Sequence, residues 1–264
     1  MKSLLAALVM LPLAVGVRDA PLADRRIDVN GTPMHIRCGG ERRAGASLVL
    51  LEAGAFNTVD TWRDVQTPIA SFARVCAHDR PGRGASGPPP DGLDARGYVA
   101  LLRNLLKAGD EPPPYVFVGH SLGGLSAQLY ASLHPSEIAG LVLVDSSHQD
   151  QIRRMAVLPQ RTPPPAPPPL PPEAVSLQAF VDALAPLPWA LDVPLVVLTR
   201  SRWTAGADTP DDAARLALWT ELQRNLATRS QQSEHIIATN SGHYIQNDDP
   251  SLVIEAIRRM AGMR

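Results

Sequence analysis

The spacing of apolar positions changes along this chain, and each change marks an element. Arg26-Ile27-Asp28-Val29 and Met34-His35-Ile36-Arg37-Cys38 alternate apolar with polar residues about Asn30-Gly31, which predicts a β-hairpin. Downstream the alternation gives way to apolar runs at 47–51, 74–77, 115–118, 138–145 and 194–199. Short continuous runs of this kind suit strands covered on both faces. Residues 235–238 make a last short strand. Between the runs, helical spacing predicts helices over 62–72, 98–108, 125–133 and 213–227. A closing helix over 251–260 starts at an Asp249-Pro250 cap. Strands that alternate with helices imply βαβ units, hence an α/β fold with a mostly parallel central sheet and helices on both faces. Ligands of such sheets bind beyond the carboxyl ends of the strands.

The alternation fails between 146 and 192. Nine of the chain's 26 prolines fall between Pro159 and Pro172, and proline continues neither a helix nor a central strand. This stretch reads as a cap or lid inserted after the strand that ends at Asp145. A disordered polyproline linker is the alternative for part of it. The first residues also stand apart. After Lys2 the chain is almost wholly apolar to Val17, too short to span a bilayer comfortably, with small residues at Ala14-Val15-Gly16. That is the pattern of a secretory leader over 1–16, and it predicts export to the periplasm or medium. The remainder, 22–264, has the size of one domain.

Composition excludes some function classes. A net charge of −1 gives no electrostatic footprint for nucleic acid or an anionic membrane surface. Cys38 and Cys76 have no metal-binding pattern around them. They read as half-buried thiols, able to pair in an oxidising compartment if their strands are neighbours. No two histidines have metal-ligand spacing.

The chemistry centres on Tyr115-Val116-Phe117-Val118-Gly119-His120-Ser121-Leu122-Gly123-Gly124. A strand runs into Gly-x-Ser-x-Gly and a helix follows, the context of a nucleophile elbow. Ser121 then sits on a tight turn with its hydroxyl lifted off the sheet, and a side chain at 119 or 123 would collide across that turn. The Leu122 N–H, at the helix start, is aimed at a developing oxyanion. The plainer alternative is a glycine-rich turn in which Ser121 only caps the helix.

Three further landmarks join the elbow. They are Leu51-Glu52-Ala53-Gly54-Ala55, then His78-Asp79-Arg80-Pro81-Gly82-Arg83-Gly84-Ala85-Ser86, and Ser241-Gly242-His243 near the end. With these the chain resembles the α/β-hydrolase superfamily over nearly all of its mature length, and within it the esterase, C–C hydrolase and haloperoxidase-like group. The resemblance implies Ser121 as nucleophile, His243 as general base, and the Ala55 N–H as oxyanion donor beside that of Leu122. The family often has His-Gly where this chain has Ala53-Gly54, which removes a structural hydrogen bond and keeps the donor. Asp79 and Arg80 are expected to be structural and to brace the neighbouring loop, since a buried Asp–Arg pair is costly unless fully satisfied. His78 is expected to bond within that loop, His120 to pack beneath the elbow, and His148 to reach the pocket.

The third member of the triad is less plainly marked. The superfamily usually places an acid soon after the strand at 195–199, but the first carboxylate there is Asp208. Asp145, ending the strand before it, is preferred, because a rigid strand end holds an imidazole better than a long loop. The function implied is a serine hydrolase cleaving an ester or related acyl bond of a small-molecule substrate through an acyl-enzyme, with no cofactor and no metal. The alternatives are a cofactor-free haloperoxidase or perhydrolase on the same triad, and a non-enzymatic receptor that retains the fold.

Overall fold

Apolar strands without polar interruption need cover on both faces, and the architecture follows from meeting that need. The structure, a computed structural model, describes residues 21–158, 172–203 and 209–262. Its strands are β1 (Ala23–Val29), β2 (Thr32–Gly39), β3 (Leu48–Glu52), β4 (Val75–His78), β5 (Tyr115–His120), β6 (Ile138–Val144), β7 (Leu195–Arg200) and β8 (Ser233–Ala238). The helices are α1 (Arg63–Ala70), α2 (Ala95–Ala108), α3 (Leu122–Leu133), α4 (Gln151–Met155), α5 (Leu177–Leu184), α6 (Pro210–Ala227), α7 (Ile245–Asp248) and α8 (Pro250–Met260). The sheet has eight strands in the order β1-β2-β4-β3-β5-β6-β7-β8. β1 and β4 flank β2 antiparallel, and every other pairing is parallel.

Alternation within the apolar strands divides two cores. Leu48, Leu50, Phe117, Leu141, Leu143, Leu195 and Val197 face α2, α3 and α5. Their neighbours Val49, Leu51, Val116, Val118, Val142, Val144, Val196 and Leu198 face α1 and α8. Side chains of this size each stabilise by about 1.5–3 kcal/mol when fully buried, so this double covering carries much of the fold.

Three departures from the sequence expectations have local causes. α3 begins at Leu122, three residues earlier than helical spacing suggests, because Gly123 and Gly124 weaken the signal while serving close packing. A Cβ at Gly124 would stand 2.0 Å from Ser146 Oγ. α6 starts at Pro210, where Thr209 and Asp212 form a capping box. In the segment read as a cap, α5 buries Phe180 and Leu184 in the core shared with α2 and α3. That part belongs to the main body, and the proline-rich centre, 159–171, lies outside the described residues, as do the leader and Asp208.

Cys38 and Cys76 face each other across the antiparallel β2–β4 pair. Their Cα atoms are 4.1 Å apart and they form a disulfide, so the reading of free thiols is corrected. Neighbouring strands made the pairing possible. Among the described residues no helix is long and apolar enough to cross a membrane.

Candidate active site

β5 ends at the middle of the sheet's carboxyl edge, and the chain turns there directly into α3. Ser121 makes the turn with φ 53° and ψ −120°, a left-handed conformation that a non-glycine residue holds only under constraint. The glycines allow the approach. A Cβ at Gly119 would lie 2.5 Å from Gly123 O, and one at Gly123 would lie 2.4 Å from Glu52 O. Leu122 opens α3, so its N–H has no helical carbonyl before it and points out of the helix end.

The structure brings Ser121, His243 and Asp145 into one chain of contacts. His243, from the loop between β8 and α7, places Nε2 3.1 Å from Ser121 Oγ. Its Nδ1 is 2.6 Å from Asp145 Oδ2. Asp145 follows β6 directly, is fully buried and has φ 44°. Its carboxylate is saturated with donors. Oδ1 accepts from Trp219 Nε1 at 2.7 Å and from the Arg200 N–H at 3.1 Å, while Oδ2 accepts from Arg200 Nε at 2.6 Å. Burial pushes this carboxyl up, but the hydrogen bond from His243 and the charge of Arg200 more than offset it and hold the group below the ordinary aspartate value.

Arg200 was not singled out in the sequence, yet it touches both partners. Its Nη2 lies 2.5 Å from Asp145 Oδ2 and 2.7 Å from His243 Nδ1. A ring nitrogen cannot donate to the carboxylate and accept from the guanidinium at once. With Nε and Nη2 both directed at Oδ2, we assign the Nδ1 proton to the Asp145 bond. Nη2 is then a positive charge lying beside the ring. The guanidinium lies against both Trp203 and Trp219, 4.6 and 4.9 Å from the ring centres, and the two rings meet edge to face at 6.1 Å. A signal existed: an arginine closing a buried strand requires an acid nearby.

His120 packs against the site from below, as expected. Its ring centre is 4.6 Å from that of His243, and its Nε2 donates to the His243 carbonyl at 2.9 Å. Burial above all, then the neighbouring His243, pushes it down to about 3, so it stays neutral. Tyr244 packs against both rings, tilted on His120 at 5.1 Å and edge to face with His243 at 5.3 Å.

On the other side of Ser121, the loop after β3 runs past the elbow. A Cβ at Gly54 would meet Ser121 Cβ at 3.2 Å and His120 Nδ1 at 2.7 Å, so this backbone abuts Ser121. Asp79 and Arg80 brace the surrounding loops as expected, each through its own partners and not through one another. Asp79 bonds His35 Nδ1 at 2.7 Å and the N–H groups of Val59 and Ala85 at 2.8 and 2.9 Å. Arg80 instead reaches Glu52 Oε1 at 3.0 Å and Glu173 Oε2 at 2.9 Å. The expectation for His78 is corrected: its Nε2 lies 2.8 Å from Glu52 Oε2 across two strands, not within its loop. Burial raises Glu52, but contacts with His78, Arg80 and the Tyr98 hydroxyl outweigh it and lower the carboxyl. His148 spends its nitrogens on Asn225 Oδ1 of α6 and on the Asp150 N–H, each at 2.9 Å, and bonds none of Ser121, His243 and Asp145 among the described contacts.

Comparison with known proteins bears on this arrangement at the level of family. A sequence profile described as the alpha/beta hydrolase family matches residues 48–264. The chain belongs to that family. It is 29% identical over 240 residues to the uncharacterized protein YqjL of Bacillus subtilis, covering 89% of this chain and 90% of that one. It is 36% identical over 100 residues to the pimeloyl-[acyl-carrier protein] methyl ester esterase of Klebsiella pneumoniae, over 38% of this chain and 36% of the esterase. Among solved structures, an epoxide hydrolase mutant of Vigna radiata superimposes with a TM-score of 0.68 at 16% identity, over 90% of this chain and 98% of that one. That likeness is one of fold. As a member of this family the chain is a hydrolase with a small-molecule substrate.

Proposed function

We propose that this hydrolase cleaves an ester or related acyl bond through an acyl-enzyme on Ser121. In this reading Ser121 Oγ attacks the acyl carbon as its proton passes to His243 Nε2. The tetrahedral oxyanion is held by the N–H groups of Ala55 and Leu122. Nε2 then returns the proton to the departing alcohol oxygen, and a water repeats the sequence to release the acid and free Ser121. Asp145 keeps the Nδ1 proton in place, so that Nε2 presents its lone pair to Ser121.

The observation that carries the proposal is the Ser121–His243–Asp145 chain, with contacts of 3.1 and 2.6 Å, set on a backbone turn at φ 53°. A serine that merely capped α3 would bond the helix N–H groups, and Ser121 makes no such side-chain bond. The exposed rings of Phe56 and Tyr244, beside Ala55 and His243, favour a substrate with an apolar portion. The test is covalent labelling with a fluorophosphonate. Wild-type protein should label and hydrolyse p-nitrophenyl acetate, and folded Ser121→Ala should do neither. Labelling retained in that variant would put the nucleophile elsewhere. We also read the protein as exported, supported by the Cys38–Cys76 disulfide, a bond that persists in oxidising compartments.

A further inference from the structure

The donor assigned to Ala55 raises the question of what aims it. Peptide 54–55 is trans, since the cis bond recorded among the described residues is Pro113-Pro114. In a trans peptide the C=O and the following N–H point in opposite directions. Gly54 O accepts from Arg80 Nη2 and, at 3.3 Å, from the Asn57 N–H. The Ala55 N–H is therefore turned the other way, and the elbow lies against this same backbone. The preceding carbonyl, Ala53 O, is held by Arg80 Nη1 at 2.6 Å. The next donor, the Phe56 N–H, is taken by Glu173 Oε1 at 2.5 Å. The carbonyl of the Gly54–Ala55 peptide and the peptide groups on either side of it are thus fixed, and the Ala55 N–H points away from Arg80.

We propose that Arg80 and Glu173 are positioning residues for the oxyanion donor, fixing the Gly54–Ala55 peptide so that its N–H stands ready beside Ser121. This rests on the serine-hydrolase reading above. Two further observations support it. Phe56 holds φ 63°, a conformation that costs a non-glycine residue free energy and persists where surroundings enforce it. The Glu173 bond to its N–H is such an enforcement. Arg80 is itself fixed, by Glu52 at 3.0 Å on one side and Glu173 at 2.9 Å on the other, and Arg83 Nε adds a 2.9 Å contact to Glu173 Oε1. A cation on the carbonyl end of a peptide also polarises it, strengthening the N–H at the other end as a donor. Glu173 comes from the segment between β6 and β7, far in sequence from the loop it holds. A set of ion pairs that only tied loops together would predict something different from this.

The test uses Glu173, because removing Arg80 strands the Glu52 charge in the core. Glu173→Ala and Glu173→Gln are compared with wild type by three readouts. These are kcat and KM for p-nitrophenyl acetate, inhibition by phenylboronic acid, and the urea midpoint. A boronic acid accepts a serine Oγ at boron and becomes a tetrahedral boronate, one of whose own oxygens occupies the oxyanion position. Glu173→Ala should lose about 10- to 100-fold in kcat with KM nearly unchanged, and boronic acid inhibition should weaken by a similar factor. Glu173→Gln keeps an acceptor for the Phe56 N–H and should fall between. A lowered urea midpoint with kcat per labelled site and boronic acid inhibition unchanged would overturn the proposal and leave a structural tie. Should wild type label but leave this ester intact, the rate of fluorophosphonate labelling replaces kcat with the same expectation. A wild-type chain that does not label at all overturns the reading beneath it as well.

Discussion

Replacing Asp145 by Asn changes one oxygen to an amide nitrogen, and the geometry dictates the result. All the groups around the Asp145 carboxylate donate: Trp219 Nε1 and the Arg200 N–H to Oδ1, Arg200 Nε and His243 Nδ1 to Oδ2. If the amide oxygen faces Trp219, the NH2 group faces Arg200 and His243. Its proton can then be accepted only by His243 Nδ1, which moves the ring proton to Nε2, where it blocks uptake of the Ser121 proton. If the amide flips, NH2 confronts two N–H donors instead. The first arrangement is the less costly, so the ring should rest in the wrong tautomer. Turnover should fall about 10⁴-fold, as in a known triad, or about 5 kcal/mol of transition-state stabilisation. Stability should drop separately, by about 3–5 kcal/mol, because the Arg200 charge loses its buried partner. The assay is kcat on p-nitrophenyl acetate per folded molecule, with urea unfolding alongside. Asp145→Asn combined with Arg200→Gln then separates the two effects: stability should largely recover and turnover should not. Turnover within tenfold of wild type in folded Asp145→Asn would refute the reasoning. Collapse in Asp208→Asn beside it would move the acid to that residue.

Two other predictions concern pH and processing. Folded His120 titrates at about 3 against an ordinary 6.5, so below 6.5 the unfolded chain binds a proton that the native state refuses, and stability falls with pH. From pH 7 to 5 this group alone should cost about 2 kcal/mol. His148 and His235 are lowered in the same direction, so folded His120→Gln should flatten the pH dependence of the urea midpoint without abolishing it, and an unchanged slope would refute the assignment. Export predicts that mature protein lacks 1–16 and carries Cys38 joined to Cys76. N-terminal sequencing that starts at Met1, with both thiols free, would count against it.

Periodicity carried the fold because most of the sheet is buried on both faces. The runs at 47–51, 115–118, 138–145 and 194–199 could hardly pack any other way, and the structure pairs them in parallel. The elbow was legible because its glycines are demanded by contacts within a few residues and across one neighbouring strand. α5 was missed although Leu177, Phe180, Val181 and Leu184 repeat at helical spacing, because the prolines before it dominated the reading of that stretch. The partners of Arg80, Arg200 and His78 were not legible. Glu173 lies 93 residues from Arg80 and Asp145 lies 55 from Arg200. No local pattern specifies which buried charge meets which.

Those pairings share one plan about the central strand. β5 carries Ser121 at its end, β3 and β6 flank it, and β4 and β7 lie one strand further out. On one side Glu52 closes β3 and meets Arg80, just past β4. On the other, Asp145 follows β6 and meets Arg200, which closes β7. Each flank of Ser121 thus holds an acid one strand away and an arginine on the next strand. A buried carboxylate is tolerated only when neutralised and fully bonded, and here the neutralising arginine also reaches the working part. Arg80 grips two successive carbonyls of the loop after β3, and Arg200 lies against the His243 ring. A lysine could balance either charge. It could not do so while directing a planar fork of donors at a carboxylate and a neighbouring group together, and this is why both positions call for arginine.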